Sequence, residues 1–219
     1  MIHPPVIRGG LAARSVALVA GLALFALGIV LQLESGLGLG PWDVLNQGVS
    51  EHTPLSFGQA NIAIAFVVLA VAFALGARIG PGTLANAVLI GLFVDAMLAT
   101  DAIASLAEQP LGVRVALLVG GILVVGLGSG LYIGAAFGAG PRDSLMLVSA
   151  KRLHVRIGIV RGGLEIAVAV VGLALGGTVG IGTVLFAFGI GPAVELSFGL
   201  LERVGVAVPD SAPVRSAAT

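Results

Sequence analysis

Cysteine is absent from the chain, lysine occurs once, and only 10% of the residues are charged. Without cysteine there is no disulfide, no thiolate metal site and no thiol redox chemistry, although this says nothing about compartment. With 11 basic against 11 acidic residues the formal net charge is zero, so the basic footprint that nucleic acid demands is missing. An ordinary soluble domain carries roughly a quarter charged residues. A chain of 219 residues that is 58% hydrophobic cannot cover a water-facing surface with so few charges, and its solvent is lipid. Its 34 glycines sit inside apolar segments and not in polar tracts, which excludes a disordered glycine-rich polymer.

Familiar catalytic signatures are missing as well. The chain has no G-x-x-x-x-G-K-[ST] and no H-E-x-x-H, and His3, His52 and His154 stand alone, mostly at expected membrane edges. Neither a metal, a haem nor any other cofactor is expected, and with no nucleophile-base pair in view an enzyme is not expected either. Glycine strings such as Gly180-Ile-Gly-Thr183 follow no strand, so they read as packing or turns and not as a dinucleotide fold.

What is present is a series of long apolar runs. Crossing roughly 30 Å of hydrocarbon takes about 20 helical residues, and the spans read 14–33, 57–76, 83–101, 113–134, 157–176 and 182–201. Strands are disfavoured, because the runs are continuous and not alternating. The first run follows Arg8 and Arg14 but is too long for a secretory signal and lacks a small-residue exit, so it is expected to remain as the first helix. The fold class is therefore an all-α polytopic membrane protein.

Basic residues set the orientation. With the N-terminus cytoplasmic, Arg8, Arg14, Arg78, Arg142, Lys151, Arg152, Arg156, Arg161, Arg203 and Arg215 fall on or near the inner side and only Arg114 on the outer. The loop 34–56 holds Glu34, Asp43 and Glu51 with no Lys or Arg, and belongs outside. The end of the chain, 203–219, with Pro209, Asp210, Ser211 and Pro213, is expected to be a flexible cytoplasmic tail.

Sliding the chain along itself by one hundred residues exposes a repeat without gaps. Arg14, Gly21, Gly28, Gly38, Gly40, Pro41 and Asp43 meet Arg114, Gly121, Gly128, Gly138, Gly140, Pro141 and Asp143. Further on, Gly58, Gly76, Gly80, Gly82, Thr83 and Gly91 meet Gly158, Gly176, Gly180, Gly182, Thr183 and Gly191, and Asp95 meets Glu195. Such self-similarity implies duplicated units, here 11–102 and 111–202. Each unit holds an odd number of spans, so the second is expected to enter the membrane inverted, as in many secondary transporters.

Both units carry G-x-G-P-x-D. Proline suits the first position of a helix and the following aspartate its first turn, so short helices should open at Pro41 and Pro141, with Gly38, Gly40, Gly138 and Gly140 letting the chain turn. Two alternatives stand for Asp43 and Asp143. They neutralise helix starts in interfacial turns, or the paired short helices dip inward and offer amides and carboxylates to a solute or coupling ion.

Asp95 lies about 18 Å along its helix from Thr83, and an unpaired carboxylate there costs roughly 2.5 to 3.5 kcal/mol, so Asp95 and Glu195 should face the bundle interior. Asp43 with Asp95 and Asp143 with Glu195 then form acidic pairs toward opposite sides, able to bind cations or simply hydrogen-bonded to loop amides. Arg161 and Glu165 are spaced for an i,i+4 ion pair, with Glu195 or an anionic solute as the alternative partner of Arg161. Thr83 and Thr183 suit helix capping, Asn61 and Asn86 suit bridges between helices, and Trp42 an interfacial anchor or a stacking contact. Arg142, beside Asp143, joins the candidate pathway. Gly126, Gly130 and Gly134, and Gly172, Gly176 and Gly180, are small-residue packing faces.

Gly38-Leu-Gly-Pro-Trp-Asp-Val-Leu45, Gly126-Leu-Gly-Ser-Gly-Leu-Tyr-Ile-Gly134, Gly138-Ala-Gly-Pro-Arg-Asp143 and Gly180-Ile-Gly-Thr-Val-Leu-Phe186 resemble the YczE/YyaS/YitT group of bacterial integral membrane proteins, in particular its YczE-like branch. The likeness runs from about Val16 to Leu200 and implies a bacterial inner-membrane location, with neither a substrate nor a reaction attached. The expected function is a small-solute transporter or channel with its pathway between the repeats, and the alternative is a non-transporting membrane accessory protein. Expected partners are the lipid bilayer, a small solute or coupling cation, and a second copy of the chain. A water-accessible cavity reaching Asp95 or Glu195 would separate the first function from the second.

Overall fold

The computed structural model describes residues 4–100 and 106–208. Among these, eight α-helices form two sets of four: α1 Leu11–Ser35, α2 Pro41–His52, α3 Phe57–Ala74 and α4 Pro81–Leu98, then α5 Leu111–Gly134, α6 Pro141–Leu153, α7 Ile157–Ala174 and α8 Ile181–Arg203. Six of them, all but α2 and α6, are long and apolar enough to cross a membrane. Their ends lie within a turn of the expected spans. Exposed Val67, Phe73, Ile166, Val170 and Phe188 give these helices an outer apolar surface that only lipid would solvate.

The core is a seam between α1 and α5. A Cβ on Gly21 would lie 2.8 Å from the Gly128 carbonyl, and one on Gly28 would lie 2.7 Å from the Gly121 carbonyl, so the backbones touch at both levels. As numbers rise on α1 they fall on α5, and the two helices are antiparallel. Small residues permit the approach, and Leu22, Ile29, Leu118 and Val125 fill the space beside them.

Each seam helix ends under an arginine from the other. Arg14 donates to the carbonyls of Ala135 and Ala136 at 2.7 and 2.9 Å, and Arg114 to those of Ser35 and Gly36 at 2.7 and 3.0 Å. The last carbonyls of a helix lack intrahelical donors and sit at its negative end, which is where a guanidinium is favoured. The sole basic residue expected on the outer side thus has a structural use.

Exchange continues at the loops. The amide of Gly82 donates to the Phe137 carbonyl at 3.0 Å, and that of Gly182 to the Leu37 carbonyl at 2.8 Å. Gly38 and Gly138 hold φ of 113° and 120°, where a side chain is strained, and each abuts the opposite half at Gly180 or Gly80. Thr83 and Thr183 cap from the third helical position, accepting from the Gly80 and Gly180 amides at 3.1 and 3.2 Å. α2 begins at Pro41 and α6 at Pro141, as the motif requires, and each lies across the other half, α2 on α7 and α6 on α3.

The remaining glycine faces are spent inside the chain. Gly126 and Gly130 abut Ala193 and Ser197 of α8, Gly134 abuts Pro5 and Ile7, Gly172 abuts α2 at Val44 and Leu45, and Gly180 abuts Leu37. A two-stranded sheet pairs β1, Val6–Ile7, with β2, Ala207–Val208. The segment expected as a flexible tail therefore begins with the end of α8 and a paired strand. From Pro209 onward, including Asp210, Ser211, Pro213 and Arg215, it lies outside the described residues, as does His3.

Candidate functional site

Beside the seam, the two halves border an open cavity of about 370 Å³ to which all eight helices contribute. Its walls pair up along the repeat. Phe25 and Val125, Trp42 and Arg142, Asn61 and Arg161, Ala65 and Glu165, Asn86 and Phe186, and Ile90 and Ile190 all line it. Both members of a repeat pair reach one cavity only if it straddles the line about which the halves exchange. The chemistry on the two sides differs: the first half offers neutral Trp42, Asn61 and Asn86, the second Arg142, Asp143, Arg161, Glu165 and Glu195.

Proline at the start of α6 places Arg142 in the first turn, and its guanidinium lies over the Trp42 ring, 5.2 Å from the centroid. It also faces Asp43 at 3.7 Å. Trp42, for which an interfacial anchor and a stacking contact were the alternatives, is buried and forms part of the cavity wall. Asp43 stands behind that wall, accepting from Asn46 Nδ2 at 3.1 Å. Burial pushes its carboxyl above the usual carboxylate range, with the Arg142 charge and the Asn46 amide pulling it back. Asp43 and Trp42 thus both meet Arg142, a side chain of the other half.

Asp143 accepts a 2.7 Å hydrogen bond from the Tyr132 hydroxyl. Tyr132 stands on α5 against Phe25, edge to face with centroids 6.4 Å apart. Arg161 and Glu165 form the i,i+4 pair, Nε to Oε1 at 2.8 Å, on the α7 wall. Across from them on α8, Glu195 is exposed. Asn61 and Asn86 line the cavity, the latter with its amide packed over Gly140.

The acidic pairs expected from the sequence divide. Asp143 and Glu195 come to one cavity, whereas neither Asp43 nor Asp95 lines it. Asp95 accepts from Ser56 Oγ at 2.5 Å and from the Gly58 amide at 2.8 Å, which ties α4 to the first turn of α3, outside the cavity lining. Its charge is used at a helix N-terminus. Gly38, Gly40 and Gly138 shape the loops, while Gly140 and Pro141 also touch the cavity. Among the described residues no group of three or more His, Asp or Glu is placed to hold a metal ion.

Phe25, Ser129 and Tyr132 were not singled out from the sequence. Ser129 and Tyr132 stand one turn apart on α5 and both line the cavity. A hydroxyl inside a long apolar run is the signal that marks Ser129 and Tyr132 in the sequence.

The chain matches, over residues 12–198, the model of a family described as a family of unknown function, DUF6198. A Haemophilus influenzae relative described only as an uncharacterized protein is 39% identical over 187 residues, covering 85% of this chain and 84% of that protein. Two Bacillus subtilis relatives are the uncharacterized membrane protein YczE, 32% identical over 89% of this chain and 94% of its own length, and the uncharacterized protein YyaS, 27% identical over 84% and 91%. These are the names of the group that the glycine-proline motifs resemble. No solved structure matches.

Proposed function

The chain is a membrane protein that belongs to the DUF6198 family, and on that premise we propose that it carries a small solute across the bacterial inner membrane through the cavity between its halves. The halves lie in opposite directions in the bilayer, with both termini cytoplasmic. Support for the inversion comes from the seam: α1 and α5 are equivalent in the repeat and run antiparallel, so if both cross the bilayer the axis exchanging them lies in its plane. The distribution of arginine agrees.

The observation that carries the transport reading is a cavity lined by matched positions of both halves and reaching Glu195. Its volume falls within the range of small-molecule sites, about 300 to 1,000 Å³. Ionisable side chains inside a membrane protein are costly and mark solute or ion paths. A membrane assembly partner, the other class, would need only the apolar outer surface and a dry core.

Because the chain has no cysteine, single thiols can be placed in it at will. Asn86→Cys and Val194→Cys should react with a charged, membrane-impermeant thiol reagent, and reconstituted protein should accumulate at least one solute in a broad liposome uptake screen. Two unreactive thiols together with no flux for any solute would replace transport by the assembly role.

A further inference from the structure

The packing of the two halves differs most at one pair of helices. In the first, α3 packs along α4, and Gly58 and Gly91 press backbone to backbone, each lying where a Cβ on the other would strike a carbonyl oxygen. Asp95 locks that contact by accepting from the Gly58 amide at 2.8 Å and from Ser56 Oγ. In the second half, α7 and α8 are all but separated. A Cβ on Gly158 or on Gly191 would meet nothing within 4 Å, and Glu195, the counterpart of Asp95, is exposed. Through this gap run Arg161 and Glu165 on one side and Gly191, Val194 and Glu195 on the other, all lining the cavity.

We propose that α7 and α8 are a gate, parted in this structure, which closes on a Gly158–Gly191 contact with Glu195 accepting from the Gly158 amide, while α3 and α4 part in exchange. The closed geometry is the one the first half already displays. Glycine weakens a helix interior, yet both copies hold it at both positions, although only Gly58 and Gly91 need the space here. Pro192, directly after Gly191 within α8, has no amide to donate and breaks the helical ladder at the gate, so α8 has a place to bend. A single chain with two nearly equivalent packings, of which one is formed and the other parted, is the structural basis of a two-state exchange.

The inference rests on reading the cavity as a solute pathway, and it is tested without a solute. Spin labels at Ile159→Cys and Leu196→Cys report α7 against α8, and labels at Ala63→Cys and Ala96→Cys report α3 against α4; all four positions are exposed. In lipid nanodiscs each pair should give two distances. Gly191→Val leaves the present arrangement undisturbed but obstructs closure, so it should abolish the short α7–α8 distance and the long α3–α4 distance together. Gly158→Val, on the facing helix, should repeat that result should Gly191→Val assemble poorly. Glu195→Gln should shrink the short α7–α8 population by half or more. One distance per pair in the unsubstituted gate, unchanged by the valines, overturns the proposal. Liposome flux is scored separately. Two exchanging distances without flux for any solute remove the transport reading and keep the gate, whereas flux unaffected by the valines, with single distances, does the reverse.

Discussion

Asp43 and Arg142 show how a residue's surroundings change what its charge does. Asp43 is buried, its pair partner is 28% exposed at the side chain, and the 3.7 Å separation is long for an ion pair. Removing one member of a buried pair is costlier than removing both, because the survivor keeps its desolvation penalty. Arg142→Gln should therefore lower stability by about 2 kcal/mol, less than the full cost of breaking a buried pair because of the long contact. The double variant with Asp43→Asn should recover most of that loss, which thermal unfolding in detergent would read; strict additivity would disprove the coupling. The spacing of Arg161 and Glu165 made their pair legible in the sequence, since one turn of helix suffices to bring them together. For Trp42 and Asp95 the sequence left two roles open each, anchor or stacking contact and cation site or hydrogen-bonded acid. A tryptophan beside a loop and a carboxylate within a span both depend on which helix packs against them, and nothing local specifies that neighbour.

For the helices, legibility followed from how local the cause was. Apolar runs of the right length, prolines opening α2 and α6, and glycines before them were enough to place all eight helices. Packing was partly legible, because the repeated glycines announced close approach but not their targets. Gly28 fits between the Gly121 carbonyl and the Val125 amide, which lie 2.7 and 2.8 Å from the site of a Cβ. Backbone cannot yield as a flexible side chain does, so Gly28→Val should destabilise the protein by about 3 kcal/mol. Gly199→Val, on α8, meets nothing within 4 Å and should unfold within a degree or two of the parent. Equal melting temperatures for the two variants would show that the seam is not the core. The strands β1 and β2 escaped notice because two residues carry no periodic pattern, and their pairing joins segments from opposite ends of the chain.

In the molecule as a whole, inversion of the halves has a direct test. Glu51 and Lys151 occupy the same exposed repeat position near the ends of α2 and α6. Glu51→Cys should be labelled only from outside intact cells and Lys151→Cys only from within; labelling from the same side would exclude opposed halves. Composition alone decided the solvent, because a surface this poor in charge is tolerable only in lipid. The repeat too is legible in the sequence alone, since matched glycines, prolines and acids recur without a gap. Only the tertiary structure decided which repeated acid caps a helix and which borders a cavity, and that one pair of outer helices is joined while its twin is parted. The reason is that the copies share their glycine, proline and acid positions, whereas which helices pack together depends on contacts between residues distant in sequence, such as Asp95 with Gly58.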